Sequence, residues 1–456
     1  MNNDTWGEVL DTIPTEELKQ MRLISRRWNK MASKALAKVS IFSMNDQIEV
    51  PHWVRRLEMH MMDMRKVNPQ KIYQLDGLAL TELDCNQLEE MMTCSVVLRL
   101  SDCDTLRRLT LQIGSRQMID FEMMLMAGKI PKRLEKLYVA TVENVEATIA
   151  RDFVRTLPRN LISLSLLFAL TDEMLRGLEG MTRLYNLRLF DCSIMRIDTL
   201  SSLSALRKLH ITGDSSIDIY ALEGLRLRKL RIIESKITNA RLIGTMTTLV
   251  SLVLVNCGIT TDHVEDICNL SNLSYLNLND NLLDNRILAK VSQMTRLETL
   301  YLNCNDLRGP IGADWNLTNL KRLNIGGTGR SIHAGDRLSI ECMTKLEMLI
   351  ISDLYVDYTI LKILAKTAES LTVLECFGEA LQLIKSTVGM NLHKLYVEWS
   401  PDLYWVAEGM TSLTKWSDGR EQHIYGYWNI LRAIDEQWNN RYDMAEWNLD
   451  RLFEDQ

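Results

Sequence analysis

Long apolar runs are missing from this chain. None approaches the roughly 20 residues that a membrane-spanning helix needs, so no membrane association is expected. Charge of one sign is missing too. Lys and Arg total 53 against 59 Asp and Glu, interspersed, for a net charge of −6. Such a balance gives no global signal for nucleic acid or for an anionic lipid surface. The N-terminus lacks the positive-then-apolar pattern of a secretory signal. Paired cysteines are absent: the nine are odd in number and scattered, which predicts a reducing compartment, cytoplasmic or nuclear. No dense Lys/Arg run marks nuclear import.

Catalytic signatures are also lacking. There is no Cys-x-x-Cys, no His-Glu-x-x-His and no Gly-x-Ser-x-Gly. Gly326-Gly327-Thr328-Gly329-Arg330 lacks the Lys-Ser/Thr ending of a phosphate loop and reads as a tight turn after a strand. His210, His263, His333 and His393 fall far apart. No catalytic residue, metal or cofactor is expected. Methionine, at 24 residues, reads as adaptable core filling.

What the chain has in abundance is Leu-x-x-Leu-x-Leu. Clear copies include Leu106-Leu109-Leu111, Leu161-Leu164-Leu166, Leu184-Leu187-Leu189, Leu206-Leu209-Ile211 and Leu227-Leu230-Ile232. They continue through Leu273-Leu276-Leu278 and Leu297-Leu300-Leu302 to Leu371-Leu374-Cys376 and Leu392-Leu395-Val397. A degraded copy joins Leu413 to Trp416, and Val54-Leu57-Met59 and Leu75-Leu78-Leu80 read as divergent first repeats. The spacing of about 21–28 residues resembles that of leucine-rich repeats. That resemblance implies an α/β solenoid: one short parallel strand per repeat on a concave face, and a helical or irregular return on the convex face. About 13–15 repeats would fill residues 43–417. The returns at Arg286–Val291, after Asn285, and at Val264–Ile267, after Thr261 and Asp262, are predicted as capped helices. Residues 418–456, with Trp428, Trp438, Trp447 and several carboxylates, read as a C-terminal cap or tail.

Residues 1–42 differ in kind. Trp6, Val9, Leu10 and Ile13 form one helical stripe, which Pro14 ends. Thr15 is placed to cap a second helix bearing Leu18, Met21, Leu23 and Ile24. Leu23-Ile24-Ser25-Arg26-Arg27-Trp28 closes the motif. A leucine, a valine or isoleucine, a serine or cysteine, two basic residues and a tryptophan in this order resemble the end of an F-box. The Leu-Pro pair that usually opens that family is replaced by Asn2-Asn3-Asp4-Thr5. An F-box followed by leucine-rich repeats resembles the substrate receptors of Skp–cullin–F-box ubiquitin ligases. The resemblance implies that Trp6, Val9, Leu10, Ile13, Pro14, Leu18, Leu23, Ile24 and Trp28 bind a Skp-type adaptor, and through it a cullin–RING ligase, or build the F-box core. It also implies that the repeats hold a protein substrate and that the chain itself catalyses nothing. A repeat scaffold or regulator without ligase function, using residues 1–42 as a cap, is the alternative.

Strand side chains alternate, so residues flanking the last two motif leucines face the concave side. In order these include Arg188 and Phe190, Lys208 and His210, Lys229 and Arg231, Tyr275 and Asn277, then Tyr301 and Asn303. A basic zone beside aromatic and amide residues suits a peptide with acidic or phosphorylated residues next to an apolar anchor.

Overall fold

Leucine placement explains the architecture of the computed structural model, in which the described residues are 105–127, 131–141, 145–194, 196–307, 315–326, 342–351 and 370–376, and four further strands. Those strands are Arg56–Glu58, Glu82–Cys85, Lys394–Val397 and Lys415–Ser417. Residues 1–42 and 418–456 lie outside the described residues, so the F-box and C-terminal cap expectations do too. The chain divides into two compact units, residues 1–283 and 284–456.

In the first unit, parallel strands follow one another in sequence order. They are β1 (Arg56–Glu58), β2 (Glu82–Cys85), β3 (Arg108–Ile113), β4 (Lys136–Thr141), β5 (Ser163–Leu170), β6 (Asn186–Cys192) and β7 (Lys208–Thr212). A two-stranded side sheet, β8 (Ser216–Asp218) with β10 (Lys236–Thr238), joins two neighbouring repeats. The main sheet continues through β9 (Lys229–Ile233), β11 (Ser251–Val255) and β12 (Tyr275–Asn277). Register is set by one leucine per strand. Leu57, Leu83, Leu109, Leu137, Leu164, Leu187, Leu209, Leu230, Leu252 and Leu276 stand opposite one another in turn.

The second unit repeats the pattern with β13 (Thr299–Tyr301), β14 (Arg322–Asn324), β15 (Met348–Ile351), β16 (Val373–Cys376), β17 (Lys394–Val397) and β18 (Lys415–Ser417). Its ladder runs Leu300, Leu323, Leu349, Leu374, Leu395 and Trp416. The degraded last copy therefore keeps its rung, with Trp416 in the place of leucine. Parallel strands in sequence order, an in-register leucine ladder and short returns make the fold a leucine-rich-repeat solenoid.

One repeat is reframed. The second rung belongs to Leu83, not to Leu78, so the repeat reads Leu80-x-x-Leu83-x-Cys85. Leu80 serves either frame. Only the later one keeps the interval to Leu109 within the range of about 20–29 residues for these repeats.

Burial follows motif position. The first motif leucines from Leu106 to Leu371 are each 0–1% exposed. Nine of them are held by a turn in which the leucine N–H donates to the carbonyl three residues back, as Leu184 does to Met181 at 3.0 Å and Leu249 to Met246 at 3.0 Å. No repeat can cover its own apolar face, so each borrows the next.

The return segments track repeat length. The longest repeats use full helices, α1 (Ser115–Met126) and α2 (Ala147–Thr156). Phe121, Phe153 and Phe168 join them in one cluster, with ring centroids 5.7 and 6.4 Å apart. A short α3 (Asp172–Leu175) follows. The compact repeats between Leu187 and Leu252 use 3₁₀ turns at Asp198–Ser202, Ile219–Leu222 and Ala240–Thr245. A 3₁₀ turn rises about 2.0 Å per residue against about 1.5 Å for an α-helix, so fewer residues cover the same return. The predicted helices at α4 (Thr261–Ile267) and α5 (Arg286–Val291) are present with different caps. Thr260, one residue earlier than expected, caps α4 in a box with His263, whose Nδ1 accepts the Thr260 N–H at 3.2 Å. At α5 the side chain of Asn285 makes no capping bond, and Asp284 Oδ1 accepts the Arg286 N–H at 2.9 Å instead. A carboxylate one residue earlier is the stronger acceptor beside the N-terminal dipole.

Candidate binding face

Behind the strands of the first unit, a second ladder binds each repeat to the one before it. Asn281 Nδ2 donates to Leu254 O at 2.7 Å, while its Oδ1 accepts the N–H groups of Cys257 at 3.1 Å and Ile259 at 3.0 Å. Cys257 Sγ donates to Ile232 O at 3.3 Å, and Ser235 Oγ to Gly213 O at 2.6 Å. Burial pushes the Cys257 thiol up to about 12, so it stays protonated and remains a donor. Glu234, Asn256 and Asp280, each just before a ladder residue, share a left-handed φ of 52–58°. That turn aims the following side chain back under the strand. The ladder side chains of Ser235, Cys257 and Asn281 set the positions of the strands.

The face of the sheet opposite the ladder leucines is the surface open to a partner. Strand register places Arg188 beside His210, and His210 beside Arg231. One row over, Asn186, Lys208, Lys229, Ser251 and Tyr275 align. The row that runs from Glu58 and Asp84 through Thr110, Tyr138, Ser165, Arg188, His210 and Arg231 reaches Val253 and Asn277. Ser165, Val253 and Asn277 are 7%, 4% and 2% exposed, so the three basic residues form a partly exposed stretch between them. From Ser165 to Asn277 the row holds no Asp or Glu; its carboxylates, Glu58 and Asp84, stand on the first two strands.

His210 is built into this row. Its Nε2 lies 3.0 Å from Thr212 Oγ1, and the Phe190 ring meets it edge-on, with centroids 4.7 Å apart. Burial, with Arg231 and Arg188 on either side, holds the imidazole well below its ordinary pKa, so it is neutral near pH 7. Lys208 Nζ stands 6.0 Å from the centre of the Tyr185 ring. Tyr185 was not anticipated. It precedes its strand, and only the three-dimensional approach of Lys208 marks it.

Two expected contact residues are corrected. Asn277 is 2% exposed and Asn303 1% exposed, so neither presents useful surface. Asn277 Oδ1 accepts the Asn279 N–H at 3.0 Å and closes the turn after β12. Asn303, in the second unit, puts Nδ2 3.5 Å from Cys304 Sγ. Asparagine at these positions is turn chemistry. Tyr275 in the first unit and Tyr301 in the second are partly exposed, each on its own unit. His263 serves α4 as a cap, while His333 and His393 lie outside the described residues.

Among the described residues no helix is long and apolar enough to cross a membrane, and no cluster of His, Cys, Asp or Glu could hold a metal ion. Cys257, Cys268, Cys304 and Cys342 are free thiols.

No family model matches the chain, and no curated protein matches it. Solved leucine-rich-repeat structures are similar to it in fold. An internalin, inlF, from Listeria monocytogenes is 15% identical, covering 90% of this chain and 95% of its own, with a TM-score of 0.37. A TDR receptor is 14% identical, covering 85% of this chain and 61% of its own, with a TM-score of 0.43. The plant peptide hormone receptor RGFR1, solved in complex with RGF2, is 15% identical, covering 80% and 82%, with a TM-score of 0.38. The fold assignment stands on this chain's own ladders and register, not on these likenesses.

Proposed function

We propose that the chain is a substrate-recognition subunit of a Skp–cullin–F-box ubiquitin ligase, acting in the cytoplasm or nucleus. One observation carries this reading: Leu23-Ile24-Ser25-Arg26-Arg27-Trp28 closes an amphipathic N-terminal motif directly before a repeat array. A repeat cap needs an apolar stripe. It does not need a tryptophan after paired arginines. The receptor holds its substrate near the loaded conjugating enzyme and raises the local concentration of substrate lysines, with no chemistry of its own. The face opposite the ladder leucines, around Arg188, Phe190, Lys208, His210, Lys229, Arg231 and Tyr275, is the substrate surface in this reading.

Binding of the full chain to a purified Skp-type adaptor tests it. Leu10→Ala with Pro14→Ala is expected to weaken the complex by more than about tenfold, because apolar anchors dominate such interfaces. An affinity unchanged within about twofold, or no binding by the unaltered chain, favours the second reading. That reading is a repeat scaffold or regulator without ligase function, with residues 1–42 serving as a cap.

A further inference from the structure

Arg188, His210 and Arg231 occupy successive strands at one register position, with Lys208 and Lys229 aligned in the next row. Neighbouring strands lie about 4.8 Å apart, so the two guanidinium arms can meet over the imidazole between them. We propose that these residues form a subsite for a tetrahedral oxyanion carried on a peptide, a phosphoserine or phosphothreonine, and that His210 takes up a proton as the anion docks. The proposal rests on reading this face as the protein-binding surface, not on the F-box.

The surroundings of His210 carry the inference. Its own strand presents Lys208 and Thr212, the strand before presents Asn186, Arg188 and Phe190, and the strand after presents Lys229, Arg231 and Ile233. No carboxylate is among them. Thr212 and Phe190 fix the ring at 3.0 Å and 4.7 Å, so it stands preset between the arginines. Guanidinium forks match the paired oxygens of a phosphoryl group. Without an anion, burial and the two flanking cations disfavour imidazolium. An oxyanion bridging Arg188 and Arg231 reverses the local field and offers the ring an acceptor. The proton comes from solvent, and no covalent bond changes.

The sign follows. The His210 pKa is lowered in the free protein and raised in the complex, so affinity rises as pH falls through the interval between the two values. It is flat outside that interval. A phosphate ester itself titrates near pH 6, whereas sulfate keeps its charge, so inorganic sulfate is the pH probe.

Calorimetric titration of the full chain with inorganic sulfate, at constant ionic strength, reads both affinity and proton uptake. Affinity is expected to rise at least about fivefold from about pH 7.5 to about pH 5.5, with proton uptake seen as a dependence on buffer ionisation heat. His210→Gln is expected to abolish the pH dependence and uptake while keeping the affinity seen at high pH. Arg188→Gln, with its circular dichroism unchanged, is expected to weaken sulfate binding by about tenfold or more. A pH-independent affinity, a pH dependence surviving in His210→Gln, or an unaffected Arg188→Gln overturns the proposal. If Arg188→Gln unfolds, the His210→Gln comparison decides alone. At about pH 7.5, an Ala-Ala-phosphoserine-Ala-Ala peptide is expected to bind about tenfold more tightly than inorganic phosphate, the unphosphorylated peptide not measurably. Equal affinity for the phosphopeptide and inorganic phosphate overturns the peptide assignment. Adaptor binding is measured separately, so failure here is distinct from failure of the receptor reading.

Discussion

Asn281 connects two repeats through a single side chain. Its amide donates to Leu254 O, Leu278 O and Asn279 O and accepts from two backbone N–H groups of the preceding repeat. Asn281→Ala leaves the buried N–H groups of Cys257 and Ile259 without an acceptor. Each such loss costs about 1–3 kcal/mol, so a destabilisation of about 3 kcal/mol is expected in urea unfolding. A loss below about 1 kcal/mol would mean that water takes over both bonds. Glu234 is the converse case. Its φ of 55° is left-handed backbone, disfavoured for a side chain of this kind. The equivalent turns place Asn256 and Asp280 there, residues that tolerate the conformation. Glu234→Asn is therefore expected to raise stability by about 0.5 kcal/mol, measured as an upward shift in the denaturation midpoint with unchanged slope.

Packing between return segments governs the next scale. Gly244 lies within the 3₁₀ turn Ala240–Thr245, which abuts α4, and a Cβ built there would lie 2.6–2.7 Å from Asp266 Cβ, C and O. The obstacle is largely backbone and cannot rotate away. Gly244→Ala is expected to cost about 1–3 kcal/mol, a strain outcome, although alanine is normally the better residue in a helical turn. Neutral behaviour in thermal denaturation would show that the two returns can part without loss. The same scale shows which parts of the fold were legible. Strands were legible because one leucine per repeat must be buried whatever the return does, and alternation then assigned Arg188, His210 and Arg231 to one face. The second rung was misframed because Leu75, Leu78, Leu80 and Leu83 allow two frames, and only the distance to Leu109 separates them. Caps moved by one residue because Thr260 and Thr261, or Asp284 and Asn285, are both competent acceptors locally. Burial of Asn277 was not legible at all, since it depends on the neighbouring rungs and on the turn that Asn279 completes.

Across a whole solenoid unit, stability is a sum of repeats and nearest-neighbour interfaces, because each repeat touches only the next. The first unit permits a direct test, as Leu187, Leu209, Leu230, Leu252 and Leu276 occupy consecutive rungs and are 0–2% exposed. Removing any one to alanine is expected to cost about 2–5 kcal/mol. Leu209 and Leu230 stand on adjacent rungs and share a cavity wall, so the double variant should depart from additivity by about 0.5 kcal/mol or more. Leu187 and Leu276 are four rungs apart, about 19 Å at the spacing of parallel strands. Their costs should add within about 0.5 kcal/mol. Chemical denaturation of both cycles decides between two pictures of the unit. Coupling confined to neighbours makes the binding face a rigid array whose rows are set locally, so a substitution at His210 reports on His210 alone. Equal coupling at both distances would mean that the unit deforms as one body, and a change at any rung would then reach the basic row.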